Sequence, residues 1–225
     1  MVHVDYDSTL VIVSILVAVA TCYAAVSMEE LVFKAAYKKF EKSILFTSGL
    51  ILGLAIWSMH FVGMLASHLP EGYHFDFSLT VLSYIVGAIA SIFAVWLTTR
   101  PTLPIPRLIL GAVFMGFGIS GMHYTGMLAL SVQHHQMHYD PLLVICSVLI
   151  AISGSGLSFL FVFKYKTAVK YRTTLKAIVA ILMAFSIVGM HYTGMAATYF
   201  DESIARVLSQ AQTEQSVLLF TINFI

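Results

Sequence analysis

The chain of 225 residues is 59% hydrophobic and only 10% charged, with a formal net charge of +1 and a mean hydropathy of +0.90. Soluble domains carry about 25% charged residues, so this composition cannot cover a globule of its size with a water-compatible surface. It excludes an ordinary cytosolic enzyme and a disordered tail, and the near-zero net charge excludes a nucleic-acid binder.

Taken in chain order, six apolar runs are each long enough to cross a hydrocarbon core of roughly 30 Å, which takes about 20 helical residues. They cover 9–28, 44–66, 79–98, 108–132, 142–163 and 177–200. A seventh run opens at 217 and reaches 225, a rise of only about 14 Å, so the chain is expected to continue beyond it. The segment before the first run, Met1-Val2-His3-Val4-Asp5, is acidic and does not read as the basic start of a cleaved signal peptide. The predicted fold class is therefore all-α, a polytopic membrane helix bundle in the lipid bilayer, with residues 1–225 forming a single domain. Cys22 and Cys146 both lie in apolar runs without a CxxC context, which gives no support to a disulfide framework or a thiolate metal site.

Eleven of the twelve Lys and Arg fall on alternate loops, after the first, third and fifth runs, and only Arg206 lies on the other side. The positive-inside rule then predicts an N-terminus outside the cell membrane. Between their ends the six predicted spans hold no Asp, Glu, Lys or Arg. Metal-assisted hydrolysis and proton-driven transport would lack their usual acids and bases, and catalysis by this segment is not expected.

One pattern recurs three times: Met59-His60-Phe61-Val62-Gly63-Met64, Met122-His123-Tyr124-Thr125-Gly126-Met127 and Met190-His191-Tyr192-Thr193-Gly194-Met195. The copies lie 63 and 68 residues apart, on the second, fourth and sixth spans, so the repeating unit is a helical hairpin. Counting outward, Glu71, His134 and Asp201 follow the three histidines by 11, 11 and 10 residues when His68 is set aside. The imidazoles are thus expected at one level, nearer the outer face.

On a helix, residues i and i+4 differ by about 40° in azimuth, so His60 and Met64, His123 and Met127, and His191 and Met195 share faces. The intervening Gly63, Gly126 and Gly194 lie on the same faces and would let another helix approach. Met59, Met122 and Met190, about 100° away, are weaker metal candidates. Imidazole and thioether without carboxylate or thiolate suit copper, Cu(I) above all. Six such donors exceed what one Cu(I) accepts, so either two ions bind or some methionines are packing. Three histidines could also leave a coordination position open to a diatomic molecule.

Other features have competing readings. The loop His134-His135-Gln136-Met137-His138 either gathers copper or is a solvated polar loop. His3 with a free N-terminal amine could bind Cu(II) in a square-planar nitrogen set. Gly49 and Gly53, and the series Gly111, Gly116, Gly118 and Gly121, read as close helix packing. The alternatives to a copper-binding sensor are a haem-binding electron-transfer protein with two of the histidines as axial ligands, and a copper transporter or buffer.

The repeated Met-His-Tyr-Thr quartet resembles the signature of the MHYT domain family over essentially the whole chain, with Met-His-Phe-Val as the departing first copy. The resemblance implies a bacterial integral-membrane sensor domain that binds copper through these His and Met residues and senses O2, CO or NO. It also implies a cytoplasmic signalling domain, in cis or in trans, such as a cyclic-di-GMP enzyme or a histidine kinase. Any role for Tyr124, Thr125, Tyr192 and Thr193 has no hydroxyl counterpart at Phe61 and Val62. A homodimer is compatible with all of this.

Overall fold

The computed structural model describes residues 6–32, 35–67, 73–100, 102–131, 137–167 and 172–200. His3, the loop residues 132–136 and the predicted seventh span, 217–225, lie outside them. Six long helices follow one another: α1 (Ser8–Val32), α2 (Glu41–Ala66), α3 (Phe77–Thr98), α4 (Ile105–Ala129), α5 (Pro141–Thr167) and α6 (Arg172–Ala196). A 3-10 turn, Ala35–Phe40, leads into α2. At 1.5 Å per residue each helix exceeds the roughly 30 Å needed to cross a bilayer, and all six are apolar enough to do so. Large apolar side chains such as Leu16, Ile105 and Leu142 stay exposed on their outer faces, the arrangement of helices whose solvent is lipid. The chain is a multi-pass membrane protein.

Each helix packs on its neighbours in sequence, and α6 closes the ring on α1. Inside the ring α2, α4 and α6 meet along a common axis, whose packed interior includes Leu52, Ile56, Ile119 and Ile187. Close approach is built from small residues. A Cβ on Gly53 would stand 2.7 Å from Ala88 Cα and 2.9 Å from Ala88 N, backbone atoms that no rotamer change can move aside. Gly53→Ala should force α2 from α3 at an overpacking cost of about 1–3 kcal/mol. The check is a lowered thermal midpoint in mild detergent, and an unchanged midpoint would contradict this contact.

Several helix ends differ from the apolar runs. The fourth and sixth runs extend to 132 and 200, but α4 ends at Ala129 and α6 at Ala196. Beyond them Leu130–Ser131 (β2) and Thr198–Phe200 (β4) turn extended and pair antiparallel with His74–Phe75 (β1) and Met137–Tyr139 (β3). Tyr6 bridges Ser67 in the same way. Hydropathy continues through these residues although the backbone has left the helix. Conversely, α1 runs past residue 28 to Val32, because glutamate is a good helix former. It thereby takes in Glu29, which is buried and accepts a 2.8 Å hydrogen bond from the Thr98 hydroxyl, and Glu30, which pairs with Lys176 at 3.3 Å. Both glutamates lie beyond the predicted span 9–28, in the last turns of α1, at the end of the bundle opposite the repeated motif.

The pairs at the motif end form a threefold cap. The backbone N–H of Asp7, Asp76 and Asp140 donates to the carbonyls of Ala66, Ala129 and Ala197 at 2.8–2.9 Å. Each acceptor lies six residues after a motif histidine. The aspartate side chains accept from the first-turn N–H groups of α1, α3 and α5, satisfying donors that every helix start leaves free. Each hairpin is thus tied at this end by the same two devices.

Candidate metal centre

The repeat places His60 on α2, His123 on α4 and His191 on α6, and the axis brings them together. All three are buried to 1% exposure or less. Their Nδ1 atoms form a nearly equilateral triangle with sides of 3.1, 3.2 and 3.2 Å. Among the described residues this is the one group of three His, Cys, Asp or Glu side chains able to hold a metal ion.

The opposite face of each ring meets the next helix. A Cβ added to Gly126 would run into His60 Nε2, one on Gly194 into His123 Nε2, and one on Gly63 into His191 Nε2. The glycine of each motif therefore serves the histidine of another, in a closed cycle of three. The helix approach expected of these glycines is the docking of an imidazole, with no room for a methyl group.

This geometry suits a cation. A neutral imidazole nitrogen either donates or accepts, and three mutually adjacent nitrogens cannot alternate. At least one pair must set lone pair against lone pair, or N–H against N–H. A central cation would take all three Nδ1 lone pairs. The centre of a triangle lies at its side divided by the square root of three, here about 1.8 Å from each Nδ1, close to the roughly 2.0–2.1 Å of a zinc–imidazole bond. A single ion at that centre would stand at this distance from all three nitrogens. The three Nε2 atoms are buried without hydrogen-bond partners, so they are not held by the carbonyl or carboxylate that commonly orients a metal-bound histidine. Steric wedging against glycine performs that orientation here.

The methionines divide by position. Met64, Met127 and Met195, at i+4, form a buried layer with Leu130 on the capped side of the triad. Met59, Met122 and Met190 belong to the main packed interior of the bundle. The triad lies between these two sulfur-bearing groups.

The residue after each histidine stacks edge-on against it. The ring pairs are His60–Phe61, His123–Tyr124 and His191–Tyr192, each at 4.8 Å. Those aromatics in turn meet the cap strands, Phe61 against Phe75, Tyr124 against Tyr139 and Tyr192 against Tyr6, at 5.2–5.7 Å. Ser14 and Ser147 each donate their one proton to a backbone carbonyl at 2.7 Å. The same two serines also share hydrogen bonds with the Tyr192 and Tyr124 hydroxyls, at 2.9 Å. Their counterpart Ser83 bonds the Thr80 carbonyl, opposite a repeat where Phe61 has no hydroxyl. The tyrosines orient ring stacks through helix contacts, and packing alone does this at Phe61. Burial first, and then the neighbouring Tyr124, push the Tyr139 phenol above its ordinary pKa, so it carries no charge at neutral pH.

The cap was the part of this region that sequence reasoning missed. Its signal is the aromatic-aspartate doublet of Tyr6-Asp7, Phe75-Asp76 and Tyr139-Asp140, a second threefold repeat distant along the chain from the first.

The described residues define a class: a membrane bundle of six helices in three repeated hairpins, with a buried tri-imidazole centre under a strand-paired cap. The chain belongs to the MHYT family, described as a bacterial signalling protein N terminal repeat, which matches at residues 53–111 and 116–174. These segments contain the first two motifs, and the third, at His191, lies beyond them. The chain is similar to the bifunctional diguanylate cyclase/cyclic di-GMP phosphodiesterase MucR of Pseudomonas aeruginosa, 42% identical over 87% of this chain and 28% of the relative. It is similar to the signaling protein YkoW of Bacillus subtilis, 34% identical over 91% of this chain and 25% of the relative. It also resembles the cyclic di-GMP phosphodiesterase NbdA of Pseudomonas aeruginosa, 37% identical over 85% and 24%. The chain thus spans about a quarter of the length of these relatives. No solved structure matches it.

Proposed function

We propose that this chain is the membrane sensory unit of a signalling protein, holding one copper ion on His60, His123 and His191 and governing cyclic-di-GMP turnover by a cytoplasmic partner domain. The observation that carries the copper reading is the triangle of three buried Nδ1 atoms at 3.1–3.2 Å. The regulatory part rests on relatives whose names state cyclic-di-GMP synthesis or breakdown.

Copper bound there would supply a soft, redox-active centre to which a small diatomic molecule such as O2, CO or NO can add. The chain's own residues do the rest. Met64, Met127 and Met195 keep water from the triad and offer neutral sulfur beside it. Because each ring is wedged on the neighbouring helix's glycine, a change in Nδ1 spacing is a change in the spacing of α2, α4 and α6. The Lys- and Arg-rich loops at the far end of the bundle support a cytoplasmic position for that end and an outer position for the triad. A haem held between two of these histidines would need the space the third imidazole fills.

The test is copper binding by the purified protein in mild detergent, stripped of metal and then offered Cu(I) in competition with a chromophoric chelator. The expected result is one ion retained per chain. Retention of none, or of two in equivalent sites, overturns the reading.

A further inference from the structure

The triad is closed on its capped side by Met64, Met127, Met195 and Leu130, exposed by only 0, 0, 4 and 4%. Three side chains from the cap strands rest against that layer: Tyr6, Phe75 and Met137. Tyr6 and Phe75 are repeat counterparts, each directly before a capping aspartate. The third counterpart is Tyr139, but the side chain that joins the layer from its strand is Met137, two residues earlier. The corresponding positions in the other two repeats are Val4 and Tyr73. A thioether therefore stands at this level in the third hairpin alone.

Met137 is half-buried, whereas the three methionines beneath it are sealed. Sulfur donors thus follow one another from the surface of the cap to the buried imidazoles. A bare cation crossing a dry apolar layer meets a large desolvation cost unless donors replace its water. Thioethers are neutral, soft and flexible, and they suit Cu(I) while discriminating against hard cations.

We propose that Met137 is the receiving thioether of a route that passes a soft monovalent cation, Cu(I), from the capped surface through Met64, Met127 and Met195 to the triad. The proposal rests on the triad being a copper centre and adds how the ion reaches it. Met137 takes part in transfer and is not a ligand of the bound ion. Its loss slows loading and release together and leaves stoichiometry and affinity as they were.

The experiment follows transfer of Cu(I) from its coloured bicinchoninate complex to the metal-free full chain in detergent, wild type beside Met137→Leu. Leucine keeps the apolar volume, and swaps of this kind usually cost under about 1.5 kcal/mol, so the variant should fold with a thermal midpoint near wild type. The expected result is loading slowed about tenfold with an unchanged endpoint, since a lost handover donor acts on rates. Slowing by less than about threefold, or a lower endpoint that makes Met137 an equilibrium ligand, overturns the route. In either case the wild type still takes up one ion, and the triad reading stands. A wild type that draws no Cu(I) from the complex overturns the triad reading and the route with it.

Discussion

His123→Ala is expected to lower Cu(I) affinity at least about 100-fold, because changes one shell further from a metal already cost 10–100-fold. The variant leaves His60 and His191 with their Nδ1 atoms 3.2 Å apart and removes the third corner of the triangle. Two nitrogens alone enclose no trigonal site. The metal-free fold should persist, since the hairpin cap and the axial packing do not depend on this ring. His138→Ala is the control: that imidazole is on the cap, stacked on Tyr199 at 5.6 Å, and its loss should leave copper content unchanged. Chelator competition on both variants provides the measurement. Wild-type affinity in His123→Ala would remove the triad from consideration as a metal centre, and the same holds for His60→Ala and His191→Ala.

The second large effect is expected from a residue with no donor atom at all. In Gly126→Ala the new methyl group would overlap His60 Nε2 and stand 2.8 Å from Cδ2 of the same ring. That ring cannot swing aside, because the imidazoles of His123 and His191 lie on its other side with centroids 4.9 and 5.1 Å away. Either the ring rotates off the triangle or α4 moves from α2. Overpacking of this kind costs about 1–3 kcal/mol. If it falls wholly on the ion-binding arrangement, affinity drops about five- to 150-fold. Gly121→Ala, whose added Cβ would meet only a Val86 methyl at 3.3 Å, should keep near-normal binding. Equal affinities in the two variants would show that the glycine wedge does not position His60.

These two substitutions probe one device from opposite sides. The nitrogen triangle offers the donors, and the glycine cycle decides where the donors stand. Because each glycine belongs to a different motif from the ring it supports, the centre exists only when all three hairpins are in place. That interdependence ties the spacing of α2, α4 and α6 to the state of the site. It gives a sensory unit a physical means of passing a local change into the positions of whole helices.

Much of this was legible in the residues themselves. Composition required a lipid solvent, and apolar runs separated by loops located all six helices. The 63- and 68-residue spacing of the motifs placed three imidazoles at one level on helices of the same direction. Those features are local or periodic, so they survive in a one-dimensional string. Helix ends were less legible, because Leu130 and Thr198 are as compatible with the membrane as the residues before them. What ends α4 and α6 is a backbone pairing with strands that precede α3 and α5. The choice of Nδ1 over Nε2, the cyclic order in which each ring meets another motif's glycine, and the descent of Met137 onto the methionine layer were likewise decided by the tertiary structure. Each depends on ring orientation and on contacts between segments distant in the chain, which the meeting of α2, α4 and α6 inside the ring brings within reach.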